Sequence, residues 1–448
     1  MPEKVEFPSV RDMMSALLSG RVSPKELFND LRDQILHHES SISGFIHVAD
    51  DFPSGVKAGG KLAGLPFAVK DIIDTEGMPT SYGSLVFDGN IPEKDATVVK
   101  RLKNAGGTIQ GKTATHEFAI GIVTPQVRNP WDRRRMAGGS SGGSAVAVAA
   151  GLSPFTLGTD TAGSVRIPSG LCGITGLKPT TGSLPLEGIF PEAWSLDTVG
   201  PMCRYASDIP FILEQMGFRF SRKEIESTPS GAVITELLDA ASHEVRKVFN
   251  AFIDRMSSEG IAEIHEISIP DIEDIAYQDD LIDSAENAFI HRDLFSRKSD
   301  RYTSQSRMQL EKAFRITAAD FILAQKKREE TVKRFRKLFR SVDLLLTPIS
   351  PTTAPAFSEL KGKKHDFYMR YMLFTCPFSF TGNPAIAIPI GFSGGMPVGA
   401  QLAAGHGMDL FLCSVAERYQ DTTEYHIMFP DTFAGSVRKG IPASLGKN

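Results

Sequence analysis

A chain of 448 residues, 41% of them hydrophobic and 23% charged, can bury a large core, which excludes a disordered tail or a small disulfide-held scaffold and fits a soluble globular protein, and length alone would allow two or three domains. The formal net charge of −4 is small for this length and argues neither for nor against a nucleic-acid or membrane partner. Cys172, Cys203, Cys376 and Cys413 are far apart and form no C-x-x-C pair, so neither a disulfide framework nor a zinc ribbon is indicated. The N-terminal MPEKVEFPSVRDMMSALLSG has no basic segment followed by an apolar one, and no apolar run is long enough to span a bilayer. A cytoplasmic protein in a reducing compartment is expected.

In chain order, residues 8 to 38 read as helix, with Ser23-Pro24-Lys25-Glu26 supplying an N-cap, a proline in the first turn and an acidic residue behind it. Leu65 to Asp74 reads as a buried strand that carries Lys70 in the middle of its apolar run. By itself such a lysine is a packed stem with a snorkelling head, or a partner for Asp71 or Asp74. Asp95 to Ala105 has helical periodicity, with Asp95 as cap, Val98, Val99 and Leu102 on one face and Gly106 as the stop.

Two familiar patterns then fail on context. Gly106 to Thr113 fits G-x-x-x-x-G-K-[ST], but a phosphate loop needs a strand before it and a helix after it, whereas here a helix runs in and Thr108 to Gly111 reads as strand. Gly138-Gly139-Ser140-Ser141-Gly142 fits G-x-S-x-G, yet the residues before it, Arg128 to Met136, read as a polar loop instead of the strand a nucleophile elbow requires.

From Gly138 to Pro179 the composition becomes unusual. Gly, Ser, Thr and Ala crowd two clusters, Gly138 to Ser144 and Gly158 to Ser164, separated by small apolar residues suited to a helix leading into a strand. Glycine clusters are costly in entropy unless turns or close backbone approach use them. Hydroxyls beside exposed backbone N–H groups suit acyl transfer. A lone serine in such a loop is usually a turn former.

Further on, Gly231 to Thr235 and Ile261 to Ile269 read as strands flanking a helix with Val245, Val248, Phe249, Phe252, Ile253 and Met256 on one face. Glu311 to Arg340 reads as one long helix, ten basic residues against four acidic. Without aromatic interleaving it is expected to be a solvated face and not a nucleic-acid surface, with Phe321, Val332, Phe335, Leu338 and Phe339 as its buried stripe.

Lys70, Ser140 and Ser164 gain meaning together. GLPFAVKD around Lys70, GGSSGGSA from Gly138, GTDTAGSVRIP from Gly158, CGITGLKPT from Cys172 and SLDTVGP from Ser195 resemble the amidase signature family. SGRVSPKEL, VRNPWD, VDLLLTPISPTTAP, NPAIAIPIGF and MPVGAQL extend the resemblance over nearly the whole chain. The fold it implies is a single α/β domain, a mixed twisted β-sheet covered by helices on both faces. A catalytic core would span 60–215, a variable and partly helical elaboration 218–342, and a return to the core sheet 343–430.

The resemblance implies Ser164 as nucleophile, Ser140, preceded by a cis peptide, as proton relay, and Lys70 as base. A serine needs a base to become a nucleophile, and a lysine serves only where desolvation lowers its pKa. The N–H groups of Thr161, Ala162, Gly163 and Ser164 would form the oxyanion hole. Ala162 departs from the two glycines many members carry there, and its methyl is expected to shape substrate fit. Asp71, Asp160, Arg166 and Lys178 are expected to be structural. Substrate contacts are expected from His116, Gly138, Gly139 and Arg328; no H-E-x-x-H metal set occurs and no cofactor is needed.

For substrate, the resemblance leaves two readings above a distant nucleotide-binding one. The favoured reading is a stand-alone amidase acting on a small carboxamide, one whose acyl part could carry a carboxylate for Arg328, with no nucleic-acid or membrane partner and a homodimer left open. The rival is the glutaminase (A) subunit of a tRNA-dependent amidotransferase. There an arginine in a segment like Ala324 to Arg328 and an aspartate before one like Leu373-Phe374-Thr375 grip glutamine. Tyr371-Met372 stands where that aspartate would be, leaving a buried ammonium without a counter-charge.

Overall fold

The computed structural model describes residues 2–56, 59–219, 227–360 and 364–440. Its strands begin with β1 (Glu3–Lys4), β2 (Phe45–Val48), β3 (Pro66–Lys70), β4 (Thr108–Thr113), β5 (Phe155–Asp160), β6 (Thr175–Lys178) and β7 (Thr198–Cys203). They continue with β8 (Ser230–Ile234), β9 (Glu263–Ile267), β10 (Leu344–Pro348), β11 (Ala385–Ser393), β12 (Met396–Ala404) and β13 (Met428–Phe429). Eleven of them form one mixed sheet in the order β2-β4-β3-β5-β7-β6-β11-β12-β10-β8-β9, while β1 and β13 pair with each other. Parallel contacts join β4 to β3, β3 to β5, β10 to β8 and β8 to β9. The fold is thus a single α/β domain on a mixed sheet.

Both faces of this sheet are covered, and β3 shows why. Its side chains alternate, so Phe67 and Val69 join the larger core cluster while Ala68 joins another, built on the small residues of helix Gly142–Ala149. By the same period of two, Lys70 projects to the Ala68 face. Helix Gly142–Ala149 approaches backbone to backbone there: a Cβ on Gly143 would lie 2.4 Å from both Ala114 N and Gly44 O. Glycine at that position is therefore a packing requirement.

Several boundaries differ from the sequence reading. Residues 8 to 38 form two helices, Val10–Leu18 and Pro24–Ile42, because Gly20 turns left-handed after the first. Ser23 caps the second, with Glu26 completing a reciprocal capping box. Asp95 caps nothing: helix Thr97–Asn104 starts from Ala96, and Asp95 instead accepts the Glu76 N–H at 2.9 Å and pairs with Lys103. The basic segment is likewise two helices, Ser304–Ala313 and Ala318–Leu338, because Thr317 and Asp320 form a capping box that restarts the chain. Its Lys327 and Arg334 meet Asp274 and Asp271 of helix Ile272–Lys298. The β8–helix–β9 unit forms as expected, with His243–Ser258 between parallel neighbours.

Close approach makes one glycine a sharp test of the sheet. A Cβ on Gly200 in β7 would fall 1.8 Å from Leu177 O in β6. Gly200→Ala is expected to lower the unfolding free energy by about 3 kcal/mol, as overpacking does. Gly44→Ala, whose methyl would meet nothing nearer than 3.6 Å, should change it by less than about 1 kcal/mol. Urea unfolding of the two variants beside the parent checks the difference.

Candidate active site

Lys70 ends β3 with no solvent exposure. Its Nζ donates to Ser140 Oγ at 2.7 Å and to Thr159 Oγ1 at 2.8 Å. Burial pushes the ammonium down to about 7, against the opposing pull of Glu192, Asp160 and Asp197. Thr159 had escaped notice in the sequence, although it adjoins Asp160 in the second glycine-rich cluster and lies on the strand hydrogen-bonded to β3.

Ser140 lies just before helix Gly142–Ala149, and the Gly139–Ser140 peptide is cis. Its carbonyl accepts the His116 N–H at 3.2 Å and the Thr124 hydroxyl at 3.1 Å. Ser164 lies just before helix Arg166–Cys172, on the same sheet face, and its carbonyl accepts the Ser141 N–H at 3.2 Å. The two serine-bearing segments are thereby tied together. Ser164 and Ala162 line a cleft of about 410 Å³.

The loop carrying Ser164 is wound around Asp160. This carboxylate accepts the N–H groups of Gly163 at 2.9 Å, Val165 at 3.1 Å and Arg166 at 3.3 Å, and takes Arg166 Nε and Nη2 at 3.0 and 2.9 Å. Burial would raise its pKa, but the Arg166 charge and hydrogen bonds hold it below the ordinary value. Arg166 itself reaches Thr375 O, Gln401 Oε1 and Ser379 Oγ, so the loop is anchored to the far half of the sheet. One correction follows for the expected oxyanion donors. The Gly163 N–H is occupied by Asp160, which leaves Thr161, Ala162 and Ser164 from that group.

The expected substrate contacts are distributed differently. Arg328 donates Nε to Phe380 O at 2.8 Å, Nη1 to Ser195 Oγ at 2.9 Å and Nη2 to Ser195 O at 2.8 Å. Three of its five N–H groups are committed to the fold, so it holds the 195 segment. Gly138 and Gly139 pack beneath the site: Cβ atoms there would meet Pro168 Cα at 2.9 Å and Val123 N at 2.8 Å. His116 is buried one layer behind the cleft wall, its Nε2 3.0 Å from where a Cβ on Gly121 would stand. Burial lowers its pKa. Of the residues at the missing-aspartate position, Met372 lines the cleft, while buried Tyr371 hydrogen-bonds Thr352.

Further polar groups near the site were not anticipated. Thr161 Oγ1 lies 2.8 Å from Glu192 Oε2 and 2.6 Å from Asp197 Oδ1, both carboxyls buried. Burial, then mutual repulsion, raises Glu192 well above the ordinary carboxylate range, and burial takes Asp197 to about 6. The only sequence sign was a pair of acids five residues apart around SLDTVGP. Lys112, of the phosphate-loop pattern, is buried in β4 and donates to Ile73 O, Thr75 and Thr80 with Asp71 at 4.0 Å. No helix follows it directly, which removes the cradle a phosphate would need.

A mixed α/β sheet bearing this lysine–serine arrangement under a serine-carrying loop defines an amidohydrolase of the amidase signature type. The amidase family model matches residues 38–413, and the chain belongs to that family. It is 33% identical to the A subunit of glutamyl-tRNA(Gln) amidotransferase from Chromohalobacter salexigens, over 94% of this chain and 98% of the relative. The crystal structure of that subunit from Thermotoga maritima superposes with a TM-score of 0.83 at 30% identity, covering 94% and 96% of the two chains. A crystal structure of an amidase superposes with a TM-score of 0.84 at 31% identity, covering 92% and 99%. No helix among the described residues is long and apolar enough to cross a membrane.

The Asp160–Arg166 pair is buried completely, so removing one partner should leave a costly charge. Arg166→Met is expected to cost about 3–5 kcal/mol of unfolding free energy, measured by urea denaturation. An Arg166→Met protein as stable as the parent would contradict this anchoring role.

Proposed function

We propose that this protein is a cytoplasmic amidase that hydrolyses the C–N bond of a small carboxamide through an acyl-enzyme on Ser164. The observation that carries the reading is the buried Lys70 Nζ, 2.7 Å from Ser140 Oγ, with its pKa lowered to about 7. A neutral amine keeps its N–H bond to Thr159 and turns its lone pair to Ser140, reversing the direction of the 2.7 Å hydrogen bond. Ser140 then accepts the Ser164 proton as it passes its own to Lys70. Ser164 Oγ attacks the carbonyl carbon, and the oxygen that becomes negative is met by N–H groups from Thr161, Ala162 and Ser164. Collapse breaks the C–N bond, and the leaving nitrogen takes the proton back along the same route. Water repeats the sequence at the ester, releasing carboxylate and restoring Ser164. No cofactor enters this scheme.

A second reading is favoured by the 33% identity to an amidotransferase A subunit. Against it stand the internal commitment of Arg328 and the apolar Met372 in the aspartate's place. A partner chain copurifying in fixed ratio, with glutaminase activity dependent on it, would favour that reading.

Intact-mass labelling with a fluorophosphonate tests the mechanism without a substrate guess. The parent should gain one adduct, Ser164→Ala none, and Ser140→Ala and Lys70→Met should label about 10²–10⁴-fold more slowly, the range expected for loss of general acid–base help. Equal labelling of Ser164→Ala and parent would overturn the assignment.

A further inference from the structure

One wall of the cleft that Ser164 lines is made by one face of helix Ile272–Lys298. Asp280, Asp283, Ser284 and Asn287 recur on it at helical spacing and all line the cleft, as does Glu192. This wall has a surplus of acceptors. Asn287 is only 3% exposed, and its Nδ2 donates to Asp283 Oδ1 at 3.1 Å, which sets the orientation of the amide. Its Oδ1 is then buried with no donor among the described residues, although the side chain faces the cleft. Gln309 Oε1, on the same cleft, also has no donor among the described residues. Glu192 shares the Thr161 hydroxyl with Asp197. The cleft's basic groups, Lys312 and Arg315, occupy exposed positions at its rim, and Arg328 is engaged elsewhere.

A ligand complementary to such a wall brings N–H donors, and positive charge favours the ionised form of carboxyls that repel one another. A carboxylate or a plain alkyl chain brings neither, and it would leave buried acceptors unpaired. A primary ammonium brings three donors and no acceptor. Among the described residues no group of His, Cys, Asp and Glu has the arrangement of a metal site, so a bare divalent cation does not fit.

We propose that Asp283 and Glu192, with Asn287 Oδ1, form a subsite for a primary ammonium, and that the amide cleaved at Ser164 therefore carries an amino group. The proposal rests on the reading of Ser164 as the acylated residue. It reverses the charge expected from Arg328, from a carboxylate-bearing to an ammonium-bearing substrate. Burial and crowding by Glu192 and Asp280 hold the Asp283 carboxyl well above its ordinary range, a repulsion that an arriving cation relieves.

The test is calorimetric titration of the full chain with hexylammonium, hexan-1-ol and hexanoate, with fluorophosphonate labelling run on the same samples. Hexylammonium is expected to bind at least tenfold more tightly than the other two and to slow labelling. Asp283→Asn should weaken hexylammonium at least tenfold, and Glu192→Gln provides a second variant if the first does not fold. Hexanoate or hexanol binding as well as hexylammonium, or unchanged affinity in the folded variants, would overturn the subsite. Absence of labelling would count against Ser164 alone, because the calorimetry does not depend on the nucleophile.

Discussion

The site depends on the desolvation of one amine. Lys70 is carried into the interior by the run Pro66 to Val69, and the alternation of β3 delivers it to the face where Ser140 and Ser164 precede two short helices. Lys112 and Lys178 are buried as deeply, and burial lowers them too, to about 8 and about 7. Their partners distinguish them. Lys112 has a carbonyl and nearby Asp71 beside its two threonine hydroxyls, and Lys178 has Pro179 O; these acceptor-only groups favour an ammonium. Lys70 faces two hydroxyls, which can donate as well as accept, so its neutral form loses no partner.

Around that amine the loop from Asp160 to Arg166 is a rigid unit. A single carboxylate gathers three N–H groups and a guanidinium, and the guanidinium extends the hold to residues 375, 379 and 401. Thr375 Oγ1 closes the circuit at 2.5 Å from Ala162 O. Gly163 belongs to this clamp on two counts: its N–H serves Asp160, and a Cβ there would lie 2.4 Å from Thr375 Oγ1. Chain segments more than 200 residues apart thus position the backbone beside Ser164.

How much of this was legible in the sequence depends on how local each feature is. Strand β3, the helix after Ser140 and the β8–helix–β9 unit follow from short-range apolar periodicity. The breaks at Gly20 and Thr317 are equally local but were hidden by continuous helical patterning on either side. The resemblance linked Lys70, Ser140 and Ser164, and the fold brings Lys70 to Ser140 and ties the Ser140 and Ser164 segments by backbone. What the sequence could not display was competition for donors. That Gly163 serves Asp160, that Arg328 is consumed by Phe380 and Ser195, and that Thr161 sits between two acids are facts of three-dimensional accounting. The acidic wall was invisible for a related reason: Asp280, Asp283 and Asn287 are scattered among other polar residues on a long helix, and only the cleft selects them.

These competitions also shape the view of substrate. The cleft combines apolar Ile120, Ile122 and Met372 with the acidic side chains of helix Ile272–Lys298. The most direct test of the central claim is the rate of fluorophosphonate labelling at Ser164 between pH 5 and 9. Lys70 must lose its proton to act, so the account predicts a rate that rises with pH through a midpoint near 7, as burial sets it, and a step that disappears in Lys70→Met. A flat profile in the parent, or an unchanged step in Lys70→Met, would contradict it.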